Sequence, residues 1–438
     1  MQSEKIYYRA DIIREKSADT PTQLEYVEFQ GVRTTKYDAL VKEIAELFKS
    51  QTLKELVVNC DLAARHLEYV GLFQKVIPII DIAEANPNSY TVEFKVKEPR
   101  QFRLGANVSV ANDGEASASC TADKASLFGR GEGLASAYTH GVRGNHMFNI
   151  GLTKPFLGWQ RYANVGAYVY RGFSSHPWSN FDATDTGVSA ELNWRSFGKL
   201  QHMIKWNGAW RQLEPEKGAA FAIREHAGHT LKSSIENVVA YDTRNSPNLT
   251  TKGMLARLTQ EYAGVFGDVG FIRHQLDVQA AAGLPLGLVL SSGLCVNFVK
   301  PLRGRTLHLL DRAYLGGPAN LRGFGHNAIG PRADDSYMGG MASWAWGVHL
   351  YRPLIPAHML FAHAFAVVGS VHGVKHDASF FDVLRRFGDL PRTSVGVGVA
   401  VKIGEVARLE LNYAVPIRYS TTDRVVPGFQ FGVGVSFL

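Results

Sequence analysis

The sequence predicts an all-β transmembrane barrel of about 16 antiparallel strands, preceded by a small α+β domain. Helical spacing of apolar residues is confined to residues 1–99, whereas residues 100–438 alternate apolar and polar side chains. The strand candidates of the second part are about ten residues long, the length that a tilted strand needs to cross a bilayer. The chain also has 43 glycines and 11% aromatic residues but only 20% charged residues. An average soluble protein has more charge and less glycine.

The N-terminal part predicts a tail at 1–20, which we expect to be disordered because it is mixed and polar, and a small domain at 21–99. The predicted strands of this domain lie at 23–30, 73–83 and 90–98. Two predicted helices separate the first strand from the second. The resulting order, β-α-α-β-β, indicates an α+β domain with an exposed sheet edge.

End signals delimit the two predicted helices. Thr35 is the expected N-cap of the first, in which apolar residues follow helical spacing from Tyr37 to Phe48. Thr52 and Glu55 form a capping box that opens the second helix, since each side chain can satisfy a free backbone amide of the other. Gly71 is expected to end that helix.

The second part of the chain shows strand periodicity. Apolar and small or polar residues alternate at 254–262, 393–402, 407–415 and 428–438. A soluble antiparallel sheet with one solvated face is the alternative interpretation. The membrane barrel is favoured because the polar faces are small and are neutral as often as charged, as expected of a lumen. A closed barrel also leaves no backbone group unpaired in lipid.

Several function classes are not supported. The net charge of +7 is spread along the chain without a basic block, so nucleic acid is not an expected partner. Cys60, Cys120 and Cys295 are too far apart for a zinc motif or a disulfide framework. No phosphate loop, metalloprotease motif or nucleophile elbow is present. We therefore expect no metal, no cofactor and no catalytic residue, and a function that is not enzymatic.

Two segments bear on membrane targeting. Residues 1–17 lack the apolar core of a secretory signal and are too acidic for a typical transit peptide, so we expect no signal peptide. Residues 353–374 carry no formal charge, which leaves a single spanning helix as an alternative. Their prolines, glycines and histidines favour strands instead.

Five motifs carry a resemblance to a known family. The segment LRGFG, at 321–325, resembles the signature loop of the barrel-assembly superfamily that includes the bacterial outer-membrane assembly factor. The resemblance extends to 311–331, 241–253 and 127–132. VARLELNYAVPI at 406–417 and the last strand resemble the mitochondrial branch, the central barrel subunit of the sorting and assembly machinery. The N-terminal domain resembles the single POTRA domain of that branch.

The resemblance implies a 16-stranded barrel in the mitochondrial outer membrane, with the POTRA domain in the intermembrane space. It implies an insertase that folds β-barrel precursors by strand templating at a lateral gate between the first and last strands. The implied partners are unfolded β-barrel precursors, the peripheral subunits of the sorting and assembly machinery and membrane lipid. Intermembrane-space chaperones and the inner-membrane organising complex are further candidates. A passive pore or polypeptide-conducting channel of the same architecture is the alternative function.

The glycine-rich loop is the expected functional element. The resemblance implies that residues 303–339 fold into the barrel. The residues expected to form the functional loop are Gly316, Gly317, Leu321, Arg322, Gly323, Phe324 and Gly325. Relatives often hold the loop arginine with carboxylates on the two strands that follow the loop. The matching stretches here offer His349 and Val367. Arg322 is therefore expected to bind backbone carbonyls, His349, or a wall acid such as Glu410 or Glu261.

The expected lateral gate joins residues 101–111 to residues 429–438. Its assigned residues are Phe102, Leu104, Gln430, Gly432, Gly434, Val435 and Phe437. Glycine weakens strand pairing, so this seam is expected to be loose. The last strand also has the pattern polar-x-Gly-x-x-apolar-x-apolar, which resembles the sorting signal of mitochondrial barrel proteins.

Overall fold

A computed structural model describes residues 18–83, 89–110, 115–302, 304–356, 359–373, 391–404 and 407–434. These residues form two compact units. The first contains the described residues up to Gly105 together with Thr121–Ser136 and Ile150–Gly166. The second contains Ala106–Cys120, Ala137–Asn149 and the described residues from Ala167 onward.

The N-terminal α+β region is a three-stranded sheet with two helices. Its strands are β1 (Gln23–Gln30), β2 (Lys75–Ile82) and β3 (Ser89–Lys97). Its helices are α1 (Tyr37–Ile44), which continues as the 3-10 turn Ala45–Lys49, and α2 (Leu53–Tyr69). The sheet order is β1-β3-β2, with β1 parallel and β2 antiparallel to β3. The observed element order therefore matches the predicted one.

The helix ends agree with the sequence in one case and differ in the other. The Thr52 side chain caps α2 by accepting a hydrogen bond from the Glu55 amide, and Gly71 follows the helix with a φ of 80°. The reciprocal half of the predicted capping box is wrong, because the Glu55 carboxylate accepts the amide of Gln51, at 2.9 Å, and not that of Thr52. The prediction that Thr35 caps α1 is wrong, because the cap position is Lys36 and no side chain caps it. The Thr35 amide and hydroxyl bind the carboxylate of Glu98 instead, each at 2.9 Å.

Sixteen of the remaining strands form one antiparallel sheet, so the predicted strand number and fold class are confirmed. The first eight strands are β4 (Phe102–Val110), β5 (Ala116–Lys124), β6 (Gly133–Gly141), β7 (His146–Pro155), β8 (Ala163–His176), β9 (Phe181–Ser196), β10 (Leu200–Pro215) and β11 (Gly228–Asp242). The other eight are β12 (Gly253–Gly267), β13 (Phe271–Gly283), β14 (Val289–Pro301), β17 (Ala342–Pro353), β18 (Leu360–His372), β19 (Arg392–Ile403), β20 (Ala407–Arg418) and β21 (Gly428–Gly434). In the order of pairing, β4 and β21 stand at the two ends.

Short elements interrupt the connections. The helix α3 (Phe221–Arg224) lies between β10 and β11, and a 3-10 turn, Pro285–Gly287, precedes β14. The long loop between β14 and β17 contains the 3-10 turn Leu309–Asp311 and a small hairpin of β15 (Arg332–Ala333) and β16 (Ser336–Tyr337).

The two faces of the sheet differ in polarity, as β20 illustrates. Leu411, Tyr413 and Val415 are exposed on one face. Glu410 and Asn412 are fully buried on the other. This distribution is opposite to that of a soluble sheet with a solvated polar face, because here the apolar face is open and the polar face is covered.

The alternative of a spanning helix at 353–374 is wrong, because Leu360–His372 is the strand β18. The alternation of its side chains, rather than its lack of charge, is the decisive feature. Across the described part of the chain, no helix is both long and apolar enough to cross a membrane.

Candidate functional site

The glycine-rich loop between β14 and β17 is seated on the polar face of the sheet. Leu321 and Phe324 are buried on either side of Arg322. They pack in an apolar cluster with Phe365 and Val367 of β18. Two apolar side chains therefore anchor the loop and exclude water from the arginine between them.

Arg322 is 0% exposed and lies between three strands. Its Nη2 donates to Glu410 Oε2 of β20 at 2.9 Å, and its Nη1 lies 3.4 Å from His349 Nε2 of β17. The guanidinium also lies 5.1 Å from the centre of the Phe365 ring of β18. The planar fork of arginine suits this arrangement, because separate nitrogens can reach separate partners.

Glu410 is the carboxylate at the centre of the site. It accepts hydrogen bonds from Arg322, from Asn412 Nδ2 at 2.8 Å and from Arg408. Arg408 also donates to the Tyr351 hydroxyl. Two guanidinium groups and one amide thus compensate the charge of this carboxylate, as the burial of a charge requires.

Two glycines of β19 make room for this network. Asn412 Oδ1 of β20 accepts a hydrogen bond from His363 Nε2 of β18 at 2.8 Å, although β19 lies between the two strands. A Cβ on Gly398 would lie 2.1 Å from Asn412 Oδ1 and 2.7 Å from His363 Nε2. A Cβ on Gly396 would lie 2.5 Å from the Phe365 ring. The alternating glycines of β19 are therefore required by packing on the polar face.

A stack of rings forms the wall beside the arginines. The ring planes of His349 and Tyr351 are 4° apart with centroids at 5.5 Å, and those of Tyr351 and His363 are 6° apart at 5.0 Å. Arg408 lies 5.1 Å from the Tyr351 ring centre. Four residues of this network were not predicted from the sequence: Tyr351, His363, Arg408 and Asn412. The i, i+2 spacing of polar and aromatic residues on neighbouring strands is the signal that could have found them.

Backbone geometry explains the glycines of the loop. Gly323 has a φ of 87°, and a Cβ there would lie 2.8 Å from Ser394 Oγ and 2.9 Å from Pro416 Cγ. Gly316 has a φ of 119°, and a Cβ there would lie 2.4 Å from the carbonyl oxygen of Gly325. Both positions need glycine because the conformation is left-handed and the neighbouring atoms are close.

The loop also binds the last strand. The Gly323 amide donates to Gln430 Oε1 at 2.7 Å, and Gln430 Nε2 donates to the carbonyl oxygen of Phe324 at 3.5 Å. The segment before β21 continues the contact. The Gly325 amide donates to the Arg424 carbonyl at 2.9 Å, and the Val426 amide donates to the Gly323 carbonyl at 2.8 Å. The loop is therefore hydrogen-bonded to β21, the strand at one end of the sheet, and to the segment before it.

A second charged cluster holds the beginning of the loop. Asp311 pairs with Arg211 of β10 through two hydrogen bonds of 2.9 Å, and Lys232 of β11 is 3.5 Å away. Lys232 and Arg273 bind Glu261 at 2.7 and 3.3 Å. Glu261 was an expected partner of Arg322, but within the described ranges its ion pairs are with Lys232 and Arg273. The choice between Glu410 and Glu261 could not be made without the fold.

The other residues assigned from the sequence are placed as follows. Val367 packs against the loop as an apolar residue, and Gly317 has a φ of 109°. Phe102 and Leu104 of β4 are exposed by 62% and 78%. Gly432 and Gly434 of β21 pair with Glu410 and Arg408 of β20. Val435 and Phe437 lie outside the described residues.

A buried carboxylate–imidazole pair lies in the first unit, and it was not predicted from the sequence. Glu43 of α1 and His66 of α2 are both buried, with Oε2 and Nδ1 2.6 Å apart. Both residues also bind the turn that follows β7. The Gly158 amide donates to Glu43 at 2.6 Å, and His66 Nε2 lies 3.0 Å from the Arg161 carbonyl. Burial alone would lower the pKa of His66, but the hydrogen bond and charge of Glu43 raise it above its ordinary value.

Comparison with known proteins agrees with this fold. The Omp85 superfamily domain matches residues 126–437. The sorting and assembly machinery component 50 homolog of Xenopus tropicalis is 36% identical over 428 residues, which cover 95% of this chain and 90% of that protein. The human homolog of the same name is 34% identical over 429 residues, with the same two coverages.

Solved structures show the same architecture at lower identity. BamA from Haemophilus ducreyi lacking POTRA domains 1-3 has a TM-score of 0.78 at 18% identity, covering 94% of this chain and 85% of that one. CdiB from Escherichia coli has a TM-score of 0.55 at 10% identity, covering 94% and 76%. These two likenesses concern the fold. The family model and the two sequence relatives show that the chain belongs to the Omp85 superfamily and, within it, to the family of sorting and assembly machinery component 50 homologs.

Proposed function

We propose that this chain folds β-barrel precursors and inserts them into the mitochondrial outer membrane. The names of its relatives support a role in sorting and assembly, and the superfamily supports an outer-membrane location. A precursor strand pairs with a free sheet edge, which opens between β4 and β21, with the N-terminal POTRA domain in the intermembrane space.

The contact between the loop and Gln430 is the observation that carries this mechanism. Gly323 offers an amide donor and Phe324 a carbonyl acceptor, and one side-chain amide of the last strand satisfies both. The terminal strand of a precursor has a polar residue at the same place in its sorting pattern. A precursor strand with an amide or hydroxyl side chain at that place offers both an acceptor and a donor, so it can replace β21 and take over both hydrogen bonds. The loop then has a role in recognising the incoming strand.

The physical need for an edge supports the same mechanism. A precursor strand in lipid has unpaired backbone amides and carbonyls, each of which costs several kcal/mol. Pairing with an exposed strand removes this cost. The described part of β21 pairs with β20 over seven residues, Gly428–Gly434, and three of these are glycines. A glycine-rich strand pairs more weakly and is easier to displace than its neighbours.

The first experiment is import into mitochondria depleted of this protein. We expect a labelled β-barrel precursor to fail to assemble on native gels, while a helical outer-membrane protein inserts normally. Normal assembly of the barrel precursor, with only solute permeability changed, would support the passive pore or channel instead.

A locked seam tests the gate. The three native cysteines are replaced, and one cysteine is introduced in β4 and one in β21. Position pairs are screened until one forms a disulfide on oxidation. We expect the cross-link to stop precursor assembly and reduction to restore it. Thr259→Cys with Gln275→Cys is the matched control, because these residues are directly opposite on β12 and β13, away from the seam. Normal assembly with the seam locked would refute the gate and leave the assembly role standing.

A further inference from the structure

A cavity of about 860 Å³ opens where β3 leaves the N-terminal sheet and the chain enters β4. Its walls include the apolar side chains of Phe73 and Val96. The residues 31–34 after β1, 71–74 after α2 and 96–103 between the two strands contribute most of the lining. All of these residues belong to the first unit. Neither the loop nor the last strand contributes to this cavity, so the site described above does not explain it.

The lining is strongly cationic. Arg33, Lys97, Arg100 and Arg103 line the cavity, and Glu98 is its single acid. Within the part of the chain that the structure describes, none of the four cations forms an ion pair. Three arginines with free forks are well suited to phosphate oxygens, which they bind in pairs.

Among the residues that the structure describes, Glu98 forms no ion pair with these cations, because backbone amides and hydroxyls occupy its carboxylate; its charge lowers the net charge of the lining from +4 to +3. It accepts the backbone amides of Arg33, Thr34 and Thr35 at 3.0, 2.9 and 2.9 Å. The Thr34 and Thr35 hydroxyls also donate to it, at 2.7 and 2.9 Å. Burial alone would raise the pKa of Glu98, but these amides lower it to about 2. Glu98 is the acceptor that shapes the loop after β1.

The position of the cavity along the chain indicates its ligand. Phe102 and Leu104, the first apolar residues of β4, are exposed on one face, and Arg103 lies between them on the other. Exposed apolar side chains at the start of a barrel strand are expected to meet lipid, and Arg100 comes two residues before them in the chain, so we expect the cations to lie close to the headgroup level. Basic clusters at this level attract anionic lipids.

We propose that this cavity binds the headgroup of an anionic phospholipid. The phosphate is held by Arg33, Arg100 and Arg103, with Lys97 at the rim. Phe73 and Val96 contact the first methylene groups of the acyl chains. A free phosphate ion would use the cations but would leave most of the volume and the apolar wall unfilled.

Native mass spectrometry of the full chain in detergent micelles tests this, with dioctanoyl phosphatidylglycerol as the probe. We expect Arg33→Gln with Arg100→Gln to weaken lipid binding about 30-fold, since each cation near anionic lipid contributes about fivefold. The control removes the same charge from two exposed helix lysines outside the cavity, Lys42→Gln with Lys54→Gln, and should bind as the unchanged chain does. Dioctanoyl phosphatidylcholine should bind weakly to all three proteins.

Two competition arms separate the sources of anionic charge. Inorganic phosphate and a synthetic peptide of alternating glutamate and leucine are each titrated against the bound lipid. Displacement by phosphate at the lipid's own concentration would show a free-anion site, and tighter binding of the peptide would show a protein-segment site. Either result, or equal lipid binding by the two double variants, would overturn the proposal. Precursor assembly is not part of the readout, so failure here leaves the proposed function untouched.

Discussion

Removal of Arg322 should destabilise the folded chain by about 3 kcal/mol. Breaking one partner of a buried ion pair costs about 3–5 kcal/mol, because the other charge stays buried. Here Glu410 keeps hydrogen bonds from Arg408 and Asn412, which places Arg322→Ala at the lower end of that range. Glu410→Gln should cost more, about 5 kcal/mol. That change leaves two buried guanidinium groups beside a neutral amide.

The assay is urea unfolding of the full chain in detergent micelles. The folded fraction is read from the gel mobility of unheated samples, and each titration gives a free energy of unfolding. Precursor assembly is measured in parallel, and we expect Arg322→Ala to reduce it.

Arg332 of the same loop provides a matched control. It also pairs with an acid, Asp335, but the side chains are 35% and 89% exposed. Exposed pairs contribute about 0–1 kcal/mol, so Arg332→Ala should have a small effect. If Arg322→Ala unfolds like Arg332→Ala and assembles precursors normally, the buried pair does not hold the loop. If Glu410→Gln lowers the free energy of unfolding less than Arg322→Ala does, Glu410 does not compensate both buried guanidinium groups.

Two further predictions concern the loop backbone and the N-terminal helices. Gly323→Ala should lower the free energy of unfolding by about 2 kcal/mol more than Gly304→Ala, because both have positive φ but only Gly323 lacks space for a Cβ; equal effects would show that the close contacts relax. The pKa of His66 is raised in the folded chain, so its pairing with Glu43 stabilises fully below the unfolded pKa of about 6.5 and is lost as pH rises through the folded value. Hydrogen exchange in α2 should therefore accelerate with pH beyond its intrinsic dependence, and Glu43→Gln should abolish that excess; an excess that survives in Glu43→Gln would assign it to another group.

Much of the fold could be predicted because it follows from local periodicity. Alternation predicted β19 and β20, with their bounds extended by one to three residues in the structure. The Thr52 cap could be found because capping depends on neighbours in sequence. Thr35 was misassigned because its partner, Glu98, is 63 residues away. Long-range hydrogen bonds of this kind leave no local pattern.

The site was only partly predictable for the same reason. The glycines and Arg322 stand in one short motif, so the loop could be singled out. The partners of Arg322 come from β17, β18 and β20, and only the register of these strands brings His349, Phe365 and Glu410 together. Glu410 and Glu261 were equally good candidates for the partner of Arg322, because both are acids on a polar face.

The hydrogen bond from Gly323 to Gln430 joins residues 107 positions apart. Contacts of such high sequence separation slow folding, because a long segment of chain must be ordered before they form. The loop therefore cannot reach its final position until the last strand has paired. Until then Arg322 lacks its partners Glu410 and His349, whereas Glu410 already has Arg408 and Asn412 of its own strand. We expect insertion of the loop to be a late and slow step in the biogenesis of this protein. Help from an already folded copy at this step would most shorten the time for which the unfinished barrel can aggregate.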